Sequence, residues 1–138
     1  MAAPISATFE LEVATPEKLV IQALCTEAQI PGSEGELGIL PGHAPLLSTL
    51  TSGTLRYKTT DGREVVLAIH GGWVEVQQTL VRVLTDAAEN PEAIDRARAE
   101  ESLKRAHARL ANVVENVDIA RALNALKRAQ VRVDIAKK

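Results

Sequence analysis

Between residues 7 and 14 apolar and polar side chains alternate, so Phe9, Leu11 and Val13 share one face of an extended strand. Residues 18–30 are again rich in strand-forming types and end at Pro31-Gly32. The Gly- and Pro-rich stretch 31–45 then reads as a connection. Residues 54–58 and 64–69 flank Asp61-Gly62, a dipeptide suited to the positive backbone angles of a tight hairpin turn. Gly71-Gly72 reads as a break. Trp73, Val74 and Val76 form the next short run, Gln77-Gln78 a turn, and Leu80, Val81, Val83 and Leu84 a last strand. Short strands at this spacing predict a β-sandwich or flattened barrel.

The period changes at Asn90-Pro91. Asn is a good helix N-cap, and Pro is tolerated at the first helical position, where its missing N–H would have no partner anyway. Ala99, Leu103, Ala106, Leu110 and Val113 then recur at intervals of four and three, as one helical face. An interruption follows, with Asn116 or Asp118 as the next N-cap, and Ile119, Ala122, Leu126, Ala129 and Val133 form a second face. The pattern predicts a β-sandwich domain over residues 1–88 and an antiparallel two-helix hairpin domain over 89–138. Both helical faces are rich in Ala, which buries little apolar area per residue. A hairpin of this size is marginal alone and must lean on the β part, a partner or a ligand.

Composition sharpens this picture. With only Phe9, Tyr57 and Trp73 aromatic, the core must be aliphatic. The single cysteine, Cys25, excludes an internal disulfide and a cysteine metal cluster, and its strand setting makes it a small buried hydrophobe. No basic patch precedes an apolar core at the N-terminus, so no secretory signal is expected. No apolar run approaches the roughly 20 residues that span a bilayer. The formal charge of −2 is unevenly spread: residues 1–90 carry 5 basic and 11 acidic side chains, residues 91–138 carry 11 and 7. Opposite signs in the two parts point to different partners.

Catalytic machinery is not evident, and the expected catalytic and metal sets are both empty. His43, His70 and His107 are not spaced as a metal-ligand set, and no strand–turn–helix presents a nucleophilic Ser. The Gly-rich stretch lacks the order of a phosphate-binding P-loop. The basic residues of the hairpin are more regular. Arg98, Arg105 and Arg109 are spaced seven and four apart, and Arg121, Arg128 and Arg132 repeat that spacing. Such stripes suit a solvated face, an acidic protein surface, a polyphosphate or nucleic acid. Nucleic acid is the least favoured, because the whole chain is acidic and offers few aromatics for stacking.

Three segments carry a family resemblance. Gly35 to Leu47, GELGILPGHAPLL, resembles the signature loop of the epsilon subunit of bacterial-type F-type ATP synthases. Gly71 to Val76, GGWVEV, and Ala125 to Ala129, ALKRA, are similar to two later segments of that family, in the same order and spacing. The resemblance implies a non-catalytic rotor subunit of the central stalk, built as a β-sandwich plus helical hairpin. It implies contacts with the gamma subunit and the c-subunit ring, with Glu36 and His43 on the ring side. It implies that the hairpin, when extended, meets the alpha and beta subunits and inhibits ATP hydrolysis, with Arg105, Arg109, Arg121 and Arg128 against beta. The implied location is peripheral, on the cytoplasmic face of the bacterial inner membrane, with membrane contact only through the complex. No cofactor is required. Ile94-Asp95-Arg96-Ala97-Arg98-Ala99 also matches the ATP-binding motif of some members. That match implies ATP as a regulatory ligand held by Glu89, Ile94, Asp95, Arg98, Ala99, Arg128 and Arg132. The alternative is a stand-alone ATP-binding sensor, which would not associate with a gamma subunit.

Overall fold

Alternation in the first strand is realised side chain by side chain in the computed structural model, which describes residues 7–112 and 118–136. In β1, Phe9–Ala14, the residues Phe9, Leu11 and Val13 are almost fully buried and their neighbours are not. β1 pairs antiparallel with β2, Leu19–Gly32, and parallel with β6, Leu80–Leu84. The remaining pairings link β6 to β5, Glu64–Val76, then β5 to β4, Leu46–Thr59, and β4 back to β2. The ring is thereby closed, and its five strands leave no open edge between them. The expected flattened barrel is present, and two helices follow it.

The three long strands each change phase midway. In β5 the inward residues are Leu67 and Ile69 before Gly71-Gly72, but Val74 and Val76 after it. In β4 they shift from Leu50 to Leu55 and Tyr57, and in β2 from Cys25 to Ala28 and Ile30. A strict period of two would send half of each strand to the wrong face. β2 resolves the conflict with a register shift between Cys25 and Glu27. β5 resolves it at Gly71 and Gly72, whose φ values of 76° and 110° turn the strand without ending it. The Gly pair is therefore a corner within one strand, not the break that its composition suggests. At this corner β5 approaches the end of β6 so closely that a Cβ on Gly72 would lie 1.9 Å from the Leu84 carbonyl oxygen.

The connection expected over 31–45 also contains a strand, β3, Gly35–Ile39. β2 runs through Pro31 and Gly32 and turns tightly, pairing Gly32 with Gly35 and Ala28 with Ile39. Burial of Ile39 at 2% exposure explains why so turn-rich a segment extends: one side chain is needed in the core. Asp61-Gly62 forms the hairpin turn between β4 and β5, with Gly62 at φ 84°. β7, Ala88–Glu89, pairs with Ala68 and Ile69 of β5.

Asn90-Pro91 opens a single 3-10 turn, Pro91–Ala93, rather than the first α-helix, and the Asn90 side chain makes no capping bond. Ile94 returns to extended backbone and is buried. The helix α1, Arg96–Ala111, starts one step later, with the Asp95 carboxylate accepting from the Arg98 N–H. α2, Ile119–Ile135, is capped in the same way by Asp118 through the Arg121 N–H. The other cap candidate, Asn116, and the last residue of the first apolar face, Val113, lie outside the described residues. Ala99, Ala106, Ala122 and Ala129 are the buried helical residues, whereas Leu103, Leu110 and Leu126 are only half-buried and Ile119 is exposed.

Replacing Gly72 by Ala should cost roughly 2–6 kcal/mol, combining backbone strain with overpacking. Gly38→Ala should be near neutral, because nothing lies within 4 Å of its added methyl. Urea unfolding of the two variants checks this contrast.

Candidate functional site

Side chains of about one methyl each bring α1 and α2 together, and what they do not fill becomes a groove. Its volume is about 310 Å³, and it is lined by Arg105 and Arg109 from α1 and by Arg128 and Arg132 from α2, over a floor of Ala106, Ala122, Ala125 and Ala129. The two arginine stripes thus converge. The spacing of seven and four places Arg105 and Arg109 on the seam side of α1, and Arg128 and Arg132 on the seam side of α2. Arg105 is paired with Glu101 at 3.6 Å and bonded to the Ser102 hydroxyl. Among the described residues, Arg109 and Arg128 have no ion-pair partner. Four guanidiniums around one groove have the chemistry to pair with an anion of several negative charges.

A second cavity, of about 420 Å³, lies between α2 and the barrel and shares Arg128 and Arg132 with the groove. Here the hairpin is tied to the sheet. The Arg132 Nε donates to Glu89 Oε1 at 2.7 Å, and His70 Nε2 meets the same oxygen at 2.8 Å. The other ring nitrogen of His70 lies 3.3 Å from the Ser52 hydroxyl. Burial, together with the charges of Arg132 and Arg128, holds the His70 pKa below its ordinary value against the opposing influence of Glu89. For Glu89, burial acts to raise the pKa, but hydrogen bonds from Arg132 and His70 outweigh it and hold the carboxyl below the usual range. The apolar part of the same junction is a small cluster of Ala68, Ile94, Ala99 and Ala136.

The residues singled out for nucleotide fall in three places. Glu89, Arg128 and Arg132 come together at the hairpin–barrel junction. Ile94 and Ala99 are in the apolar cluster, packed against the barrel residue Ala68. Asp95 caps α1, and Arg98 is exposed and outside the groove lining. Of the four arginines assigned to a protein contact, Arg105, Arg109 and Arg128 line the groove, and Arg121 is exposed beyond it. Glu36 is exposed on β3, and His43 is half-buried in the following turn with its ring bonded to the Ala44 carbonyl. Beside them runs another groove, formed by Glu34, Glu36, Leu37, Leu46, Leu47 and Trp73.

Two further residues carried little functional signal in the sequence. His70 was legible only as a histidine at a strand end. Arg96 lies inside the motif, yet its neighbour Arg98 drew the reading. Arg96 donates to the Val133 and Ala136 carbonyls at 3.3 and 3.2 Å, satisfying the C-terminal end of α2 from the first turn of α1. Its i,i+4 relation to Glu100, realised as a 3.0 Å pair, was the one available clue.

Among the described residues no group of His, Cys, Asp and Glu is arranged to hold a metal ion. Among the described residues no helix is long and apolar enough to cross a membrane.

Two family models match consecutive parts of the chain, together residues 8–137. The β-sandwich domain of the ATP synthase delta/epsilon chain matches residues 8–91, and the long α-helix domain of that chain matches residues 92–137. The chain is 50% identical over 103 residues to the ATP synthase epsilon chain of Koribacter versatilis (strain Ellin345), covering 75% of this chain and 72% of that one. It is 48% identical over 105 residues to the ATP synthase epsilon chain of Solibacter usitatus (strain Ellin6076), covering 76% and 78%. Among solved structures it superposes on a chain of the Euglena gracilis mitochondrial ATP synthase, in an OSCP/F1/c-ring assembly, with a TM-score of 0.85 and 25% identity over 96% of this chain and 82% of that one.

Removing the Arg96 side chain should loosen the end of α2. Two partly exposed charged bonds are worth about 1 kcal/mol here, so Arg96→Ala should speed amide exchange in the last turn of α2 about fivefold. Exchange in β5 should be unchanged.

Proposed function

The chain belongs to the delta/epsilon family of ATP synthase subunits and is a non-catalytic central-stalk subunit of that complex, and on that premise we propose that its hairpin is a nucleotide-controlled brake on ATP hydrolysis. The barrel docks on the gamma subunit and the c-subunit ring, with Glu36 and His43 toward the ring. The subunit is peripheral, on the cytoplasmic face of a bacterial inner membrane, and meets lipid only through its partners. Extended, the hairpin reaches the alpha and beta subunits and blocks hydrolysis; folded on the barrel, it does not.

The observation that supports this reading is the convergence of Arg105, Arg109, Arg128 and Arg132 on one groove. That groove exists only while α1 and α2 lie side by side. A polyphosphate bound there favours the folded form, because a ligand shifts an equilibrium only by its differential affinity for the two states. ATP at about 100 times its dissociation constant would favour the folded hairpin by roughly 2.7 kcal/mol. The Ala seam makes that sufficient: each buried methyl contributes only about 0.8 kcal/mol. The phosphates would lie along the four arginines. Ile94 and Ala99, being packed against Ala68, would shape the base side from behind rather than touch it. No cofactor is needed for this role; ATP is its ligand.

Calorimetric titration of the intact chain with ATP checks the binding. The unmodified chain should bind and melt at higher temperature in millimolar ATP. Arg128→Ala and Arg105→Ala should each weaken binding about 10- to 100-fold, the worth of one charge-assisted bond. Absence of both binding and stabilisation at millimolar ATP overturns the nucleotide reading.

The brake is checked separately, on the assembled synthase. Removing residues 91–138 should raise its ATP hydrolysis several-fold and abolish any restraint that returns when ATP is depleted. Equal hydrolysis with and without the hairpin overturns the inhibitory role and leaves the rotor role standing.

A further inference from the structure

The cavity between α2 and the barrel holds a buried imidazole that neither the arginine groove nor the apolar seam requires. His70 is 6% exposed, in β5, immediately before the Gly71-Gly72 corner. Its backbone N–H donates to the Ala87 carbonyl at 3.1 Å and lies 3.3 Å from the Thr85 hydroxyl, so the ring is held from behind. We propose that His70 is a proton-operated latch for the hairpin: its neutral ring and Arg132 share one oxygen of Glu89, and a proton on that ring releases α2 from the barrel.

The charges that face the ring come from each element around it. β7 supplies Glu89, the β6–β7 segment supplies Asp86, and α2 supplies Arg128 and Arg132; Ser52 of β4 and Asn124 of α2 are neutral. With His70 neutral, two carboxylates balance two guanidiniums. In that form Nε2–H donates to Glu89 Oε1, and Nδ1 accepts from the Ser52 hydroxyl. A proton added at Nδ1 has two effects. It places a third cation beside Arg128 and Arg132, in a cavity where screening is weak. It also turns the His70–Glu89 bond into a full ion pair that competes with Arg132 for the same oxygen. Release of α2 removes both guanidiniums and admits water to the ring, and each change favours the proton.

The direction in pH follows from linkage. In the docked form burial and the arginines hold His70 below its ordinary value of 6.5, so the released form binds more protons. Docking is therefore favoured at high pH and declines as pH falls through the released and then the docked value of His70. Glu89 acts in the same direction in a lower window, because its carboxyl returns toward 4.5 when Arg132 leaves. The two windows are separable by substitution. The consequence for the synthase, that acidification favours the extended and inhibiting hairpin, rests on the function proposed above; the latch itself does not.

The test uses the intact chain without nucleotide. Donor and acceptor dyes are placed on Thr60→Cys in the β4–β5 turn and Lys127→Cys on α2, both at exposed positions. Cys25 stays in place: it is fully buried and its thiol pKa is pushed up to about 11, so it does not compete for label. The docked-to-released ratio should be flat above pH 7.5 and fall about tenfold per pH unit between the released and docked values of His70. His70→Gln, which keeps a donor toward Glu89 and cannot be charged, should abolish that fall and leave only the Glu89 step at lower pH. An unmodified chain that stays docked down to pH 5, or a His70→Gln chain with the same pH profile, overturns the proposal. If His70→Gln does not fold, the ring is titrated by NMR in the unmodified chain and in the Arg128→Ala/Arg132→Ala double variant. The pKa of His70 should rise in the double variant, and an unchanged value overturns the proposal. Since ATP is absent throughout, failure of nucleotide binding and failure of the latch are read independently.

Discussion

One carboxylate oxygen joins the two parts of this protein. Glu89 Oε1 accepts from the barrel through His70 and from α2 through Arg132, at 2.8 and 2.7 Å. The main core of the barrel takes no residue from the hairpin: it is a closed ring of mostly aliphatic side chains, the large ones each contributing about 1.5–3 kcal/mol when fully buried. The hairpin has no comparable core. Its buried helical residues are alanines, and its junction with the sheet is a cluster of four small or medium buried residues, Ala68, Ile94, Ala99 and Ala136, with Val131, Val133 and Ile135 packed half-buried against it, beside the shared carboxylate. The polar contact therefore carries weight that a larger apolar interface would have made redundant, and it responds to charge in a way an apolar interface would not.

The same economy creates the groove. Replacing the seam alanines by leucines would add apolar burial and stiffen the hairpin, but the added side chains would fill the space that Arg105, Arg109, Arg128 and Arg132 now surround. A stable hairpin and a hairpin with an anion site at its centre are thus competing solutions to one packing problem. The sequence has the alanine seam and leaves the arginine-lined space open. Arg96 offsets part of the loss by tying the first turn of α1 to the last turn of α2, away from the groove.

Much of this was legible beforehand, and the exceptions share a cause. The strands with clean alternation, such as Phe9, Leu11 and Val13, and the two helices with their alanine faces could be read because each follows a single period. β3 could not, because Gly35 and Gly38 supply turn chemistry and Ile39 alone supplies the burial. Gly71-Gly72 was misread because a phase change within a continuing strand looks, in one dimension, like the end of it. Asn90-Pro91 has the composition of a helix start, but the burial of Ile94 pulls the backbone out of helical geometry and hands the cap to Asp95. At the site, the arginine spacing was informative and the convergence of its two stripes was not, since that depends on how the helices face one another. His70 gains its meaning from Ser52, Glu89 and Arg132, which lie 18, 19 and 62 positions away along the chain.

The corner strands have a mechanical consequence. β4 and β5 pass from one wall of the barrel to the other in a single register, which runs from Leu46–Val76 to Lys58–Glu64 and skips only Thr51 and Gly71. The spine between the two walls is made of covalent chain. A load applied along these strands meets their whole ladder in shear, with every rung resisting together, rather than peeling rungs away one at a time. For a part of a turning shaft, that is the difference between a keyed joint and a zip.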